Sequence, residues 1–162
     1  TARFLQVSSD GDYSEGKLYL SRPGKMRFEY DPPKSSLLIA NGETLTYYDK
    51  ELEQVSYFGL EDTQAEILLR ETISFSTEGL SVTAFERGPG VLRLTVIKEN
   101  GPLEGNITLI FSDKPLGLKK WTIADAQGIT TNVSLLGPRF GAPIDVKLFD
   151  FEPPKDDSQN IQ

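Results

Sequence analysis

The stretch KLYLSRPGKMRFEY, Lys17 to Tyr30, decides how the rest of the chain is read. It holds two short runs of period-two alternation around Arg22-Pro23-Gly24, where proline's fixed φ and glycine's freedom suit a tight turn. Leu18, Leu20 and Arg22 share one side of the first run, and Met26, Phe28 and Tyr30 share one side of the second. Side chains alternate across a strand, so each apolar row marks a buried face. An arginine that continues such a row is out of place in a dry core, because a buried guanidinium without partners is costly. The row is therefore expected to run from an apolar interior to an opening.

The same alternation extends along the chain. Strands are predicted at 4–7, 17–21, 25–31, 36–40, 44–49, 54–58, 81–87, 91–98, 106–112, 116–125, 129–136 and 146–151. Between them stand Pro23-Gly24, Asn41-Gly42, Gly88-Pro89-Gly90, Asn100-Gly101 and Gln127-Gly128, each a tight-turn signal. The fold class is mainly β, a long antiparallel meander. Only DTQAEILLRETIS, residues 62–74, reads as a helix, with Asp62 or Thr63 as cap and Glu66 placed as in a capping box. A second short helix is a weaker expectation at 138–145. Ile67, Leu68 and Leu69 need a hydrophobic surface to sit on.

A meander this long has unpaired edges that invite aggregation, and curling toward a barrel relieves them. A barrel of this size encloses a ligand space whose apolar mouth needs covering, and a short amphipathic helix is a natural cover. The 162 residues suit one domain, taken as 1–152, with a polar, Pro-rich tail at 153–162 expected to be disordered.

Bulk properties remove several function classes. A net charge of −7 with scattered Lys and Arg argues against nucleic acid and against an anionic membrane surface. No apolar run approaches the length of a membrane span. The absence of His and Cys removes the commonest general base and the commonest metal ligands. With no nucleophile-elbow serine and no convincing acid pair, an enzyme is not expected, nor is a cofactor. Asp10, Asp12 and Glu15 lack the spacing of a Ca²⁺ loop and read as a solvated hairpin tip. Gly88-Pro89-Gly90 precedes a strand, so it is a turn and no phosphate cradle. Trp121 is expected to pack in the barrel wall.

The ordered runs GKLYLSRPGKMRFEYDPP, LLIANGETLTYYDKELEQV, LKKWTIADAQGITTNVSL and FDFEPP resemble the periplasmic outer-membrane lipoprotein carrier family, the LolA type, from about Phe4 to Pro154. The resemblance implies an incomplete antiparallel β-barrel, a half-barrel meander with a short helical lid. It implies a periplasmic chaperone that holds the acyl chains of lipoproteins in a hydrophobic cavity and shuttles them to the outer membrane. Leu18, Leu20, Met26, Phe28, Tyr30, Leu38 and Tyr48 are then the cavity lining, Arg22 a latch on the lid, and Ile67, Leu68 and Leu69 the lid helix. Acylated lipoproteins would be the cargo and an inner-membrane lipoprotein release complex a partner. An outer-membrane acceptor is left open, and a monomer is expected.

The chain departs from the family pattern in three places. Only Thr1-Ala2-Arg3 precede Phe4, where the family has an amphipathic helix. The start at Thr1 rather than Met points to a processed or trimmed end, with any signal peptide out of view. Gln64 replaces the proline that opens the lid helix, and Thr46-Tyr47-Tyr48 replaces the usual aromatic-x-Tyr pattern. The competing reading is a binding module of the same fold for another hydrophobic ligand: a glycolipid, a fatty acid or a lipoprotein-sensing regulator.

Overall fold

The computed structural model describes residues 1–72, 79–99 and 105–155. Its eleven strands are β1 (Ala2–Ser8), β2 (Tyr13–Ser21), β3 (Lys25–Tyr30), β4 (Ser36–Asn41), β5 (Thr44–Asp49), β6 (Gln54–Gly59), β7 (Leu80–Gly88), β8 (Val91–Lys98), β9 (Asn106–Ser112), β10 (Gly117–Ala124) and β11 (Thr130–Leu136). Each overlaps one of the alternating segments read from the sequence, although β2 begins at Tyr13 rather than Lys17. They form one antiparallel sheet in the order β6-β5-β4-β3-β2-β1-β11-β10-β9-β8-β7. Two sequential meanders, β1–β6 and β7–β11, are joined by the ladder from Arg3↔Leu136 to Ser8↔Thr131. Among the described residues β6 and β7 are the edges and do not pair with each other, so the sheet is open, as an incomplete barrel is. The predicted turn at Asn100-Gly101 lies outside the described residues.

The register decides what fills the concave face. Phe4 stands opposite Gly16, and Gly16 opposite Tyr30. Because Gly16 has no side chain, the Phe4 ring drops into the space and meets Phe28 and Tyr30 edge-on, at centroid distances of 4.8 and 5.2 Å. Trp121 meets Phe28 edge-on at 6.2 Å, in the wall as expected. A register shift between Leu118 and Lys120 in β10 reverses the alternation, so that both Leu118 and Trp121 join the apolar cluster.

Three expectations are corrected. The helix is shorter than 62–74: a 3-10 turn at Leu60–Asp62 leads to α1, Ala65–Leu69, and Ser74 lies outside the described residues. No capping box forms, because the Thr63 hydroxyl donates to the Leu60 carbonyl (2.8 Å) and the Glu66 carboxylate is taken by Arg70. A helix of this length does not hold itself together in water. Ile67, Leu68 and Leu69 are all buried against the sheet, and that burial holds α1 in place.

The segment read as a strand at 146–151 is instead a 3-10 turn, Val146–Phe149, started by Asp145, whose Oδ1 accepts from the Lys147 N–H at 3.0 Å. It lies against β3 and β4 on the convex face, where Arg27 donates to the Leu148 carbonyl (3.1 Å) and Phe149 is buried. The short helix expected at 138–145 does not form; that stretch is irregular and becomes a wall of the cavity. Of the tail, residues 156–162 lie outside the described residues.

Candidate ligand cavity and its cover

A cavity of about 390 Å³ opens between the concave face and the irregular segment after β11. Leu18 and Leu20 of β2 form its floor with Leu109 and Phe111 of β9 and Leu118 of β10. Leu68 of α1 closes one side, and Pro138, Phe140 and Ile144 form the outer wall. Arg22 and Arg139 stand among these apolar groups. At the rim Leu116 and Phe140 are 69% and 68% exposed, unusual values for such large apolar side chains.

The predicted lining divides into three parts. Leu18 and Leu20 line the cavity. Met26, Phe28 and Tyr30 are buried, Leu38 packs against them, and none of the four reaches the cavity. The Phe4 ring over Gly16 occupies the space that an open half-barrel would leave beside them. Burial pushes the Tyr30 phenol well above its ordinary pKa, and its hydroxyl donates to the Gln6 side-chain oxygen at 2.9 Å. Tyr48 faces the other way: it pairs with Leu37, whereas Leu38 pairs with Tyr47. Its ring packs on Phe151 at 5.6 Å on the convex face, so the inward tyrosine of β5 is Tyr47, held to Ser36 at 3.1 Å.

Among the described residues no side-chain bond from Arg22 fastens the cover. Arg22 is exposed, lines the cavity and makes no side-chain hydrogen bond or ion pair among the described residues. The bond from this hairpin to α1 comes two residues later, from the Gly24 N–H to the Leu69 carbonyl at 2.9 Å. Gly24 has φ +78, and a Cβ there would lie 2.8 Å from the Gly42 Cα, so only glycine brings this amide to the helix.

At its other end α1 is held by groups that alternation does not reveal. Glu66 meets Arg70 at 2.5 Å and Lys98 of β8 at 3.3 Å. Lys98 also donates to the Glu61 carbonyl, and Gln64 Nε2 donates to the Ala124 carbonyl at 3.3 Å. These charged groups are about one-fifth exposed, so their pairing exceeds that of a fully solvated pair but remains breakable. Lys98→Met is expected to speed amide exchange across 65–69 by roughly five- to tenfold. Hydrogen-exchange mass spectrometry should leave β2, β3 and β10 unaffected; uniform exchange at 65–69 would show that Lys98 does not fasten α1.

An open β-barrel with an apolar cavity under a short docked helix defines a protein that binds hydrophobic ligands. The family model described as outer membrane lipoprotein carrier protein LolA matches residues 1–152, and the chain belongs to that family. It is similar to the outer-membrane lipoprotein carrier protein of Azotobacter vinelandii, 32% identical over 96% of this chain and 78% of the relative. That of Pseudomonas aeruginosa is 32% identical over 95% and 77%. That of Legionella pneumophila is 33% identical over 96% and 79%. A crystal structure of a LolA superfamily protein from Nitrosomonas europaea aligns over 93% of this chain and 89% of that one, with 12% identity and a TM-score of 0.47.

Proposed function

We propose that this chain is a non-enzymatic periplasmic carrier that takes a lipoprotein acyl chain into the cavity bounded by Leu18, Leu20, Leu68 and Leu109 and conveys it toward the outer membrane. The observation that carries the reading is the apolar cavity of about 390 Å³ under a helix fastened at a few points. An apolar cavity of about 150 Å³ takes a benzene-sized ligand, so this one takes on the order of fifteen carbon atoms, one acyl chain. Burying a dozen methylenes gains on the order of 10 kcal/mol at most. Cargo with more than one chain would require α1 to move aside, and its return would help to expel the cargo at delivery. The acidic chain would meet basic surfaces of an inner-membrane release complex, with exposed charges tuning the encounter rate.

The test is a cavity-filling variant. Leu20→Trp is expected to weaken binding of a dansyl-undecanoate probe at least tenfold, since the indole takes the volume of several methylenes. Thermal unfolding should stay close to that of the parent chain. Unchanged probe affinity in a folded Leu20→Trp protein would place the acyl site elsewhere. Mass spectrometry of material co-purified from a native periplasm distinguishes cargo: acylated lipoprotein supports the proposal, and free lipid alone refutes it in favour of a carrier of other lipids.

A further inference from the structure

The cavity carries a charge pattern that an acyl chain alone does not call for. The chain as a whole has 24 acidic and 17 basic residues, yet among the described residues that line the cavity there are two arginines and no aspartate or glutamate. Of the five other arginines, four face carboxylates, Arg3 meeting Asp31, Arg27 Glu29, Arg70 Glu66 and Arg87 Asp113, and the fifth, Arg93, is exposed on β8 away from the cavity. Arg22 and Arg139 have no such partner among the described residues. Both are held in place by backbone rather than by their guanidiniums. Arg22 directly follows Ser21, the last residue of β2, in the turn to β3, and the Arg139 N–H donates to the Thr1 carbonyl at 2.8 Å.

A guanidinium at the edge of an apolar hollow is well matched to an oxyanion, which it meets with two parallel hydrogen bonds strengthened by the low dielectric alongside. We infer that, besides a lipoprotein acyl chain, the cavity takes free single-chain amphiphiles and prefers those with an anionic head, the alkyl chain lying along Leu18, Leu20 and Leu109 and the head group meeting Arg22 and Arg139. The class comprises fatty-acid carboxylates and single-chain alkyl or acyl phosphates. The shared chemistry is one alkyl tail ending in one oxyanion. This rests on the acyl-chain reading of the same cavity and adds a second class of ligand to it, since the carboxyl of a lipoprotein's acyl chain is consumed in its covalent link and offers no oxyanion. It also gives Arg22 a role that its missing bond to α1 does not.

The experiment measures displacement of a neutral fluorescent probe, N-phenyl-1-naphthylamine, by four twelve-carbon ligands: dodecanoate, dodecyl phosphate, dodecanol and dodecyltrimethylammonium. One or both anions should bind about tenfold more tightly than dodecanol, and the cation more weakly than dodecanol. The tighter anion identifies the source class. The preference should shrink as salt rises, because both arginines are exposed. Arg22→Gln with Arg139→Gln should abolish the preference, read as the ratio of anion to dodecanol affinity within the same variant, and Arg→Lys at both sites should restore part of it. Dodecanol binding as tightly as both anions overturns the head-group inference and leaves the acyl-chain reading intact. So does a preference that survives the double glutamine variant. Failure of all four ligands to displace the probe overturns both.

Discussion

Gly16→Ala is expected to destabilise the folded chain by about 3 kcal/mol, at the severe end for adding one methyl group. A Cβ at Gly16 would collide with the Glu29 carbonyl oxygen of β3 and come within 3.0 Å of the Phe4 ring. Neither obstacle can yield cheaply. The carbonyl belongs to the β2–β3 ladder, and the ring is fully buried between Phe28 and Tyr30. Relief requires the two strands to part or the aromatic cluster to repack, and β2 carries Leu18 and Leu20 to the cavity. Urea denaturation of Gly16→Ala beside Gly88→Ala isolates the effect, since a Cβ at Gly88 meets open space. The Gly88 variant should stay within about 0.5 kcal/mol of the parent. Equal midpoints for the two variants would show that the close approach at Gly16 has no energetic weight.

Ile67→Asp separates a movable cover from a permanent part of the core. Ile67 is 1% exposed on the concave face, and an ionised carboxylate there costs several kcal/mol unless it escapes to water. The chain can relieve that cost in two ways. α1 is five residues long and fastened by the Gly24, Gln64 and Lys98 contacts, whereas the sheet beneath is a continuous ladder of eleven strands. The lower-cost escape is for α1 to undock. We expect the variant to keep its strand signal in far-ultraviolet circular dichroism, to bind anilinonaphthalene sulfonate severalfold more strongly, and to exchange an acyl probe roughly tenfold faster. Global unfolding, with strand signal and probe binding lost together, would mean that α1 is structural and that cargo enters by another route.

The strands were legible because period two survives wherever one face is buried, and eleven of the twelve segments read this way are strands. The exception shows what alternation lacks. Val146, Leu148 and Asp150 alternate with Lys147 and Phe149, but Asp145 offers a side-chain acceptor to Lys147 and turns the backbone over the convex face. That capping aspartate was the available signal. Tyr47 and Tyr48 present a different limit: two adjacent tyrosines satisfy either phase, and only the pairing of Leu38 with Tyr47 settles which one faces inward.

The cavity was half legible for a volumetric reason. Leu18 and Leu20 share a row with Arg22, and that row leads to the opening. Met26 and Phe28 share an equivalent row on β3, yet Phe4 enters above Gly16 and consumes the space beside them. Which row is packed depends on a residue of another strand that alternation does not connect to it. Leu109 and Phe111 alternate inward in the predicted strand and could have been included. Lys98 and Arg139 look like ordinary solvated charges until the fold brings Lys98 to Glu66 and Arg139 to the cavity.

The ladder between β1 and β11 has a consequence for how the molecule comes into being. Every other strand pair joins neighbours in sequence, but Arg3 waits for Leu136. While the polypeptide is threaded from its amino-terminal end, β1 has β2 on one flank and a bare row of amides and carbonyls on the other until most of the sequence has followed. That row is a temporary template for stray strands, and its closure is the slow, non-local event in assembly. The flanks of β6 and β7 stay bare in the described sheet, so β1 is the strand whose exposure ends only when β11 arrives.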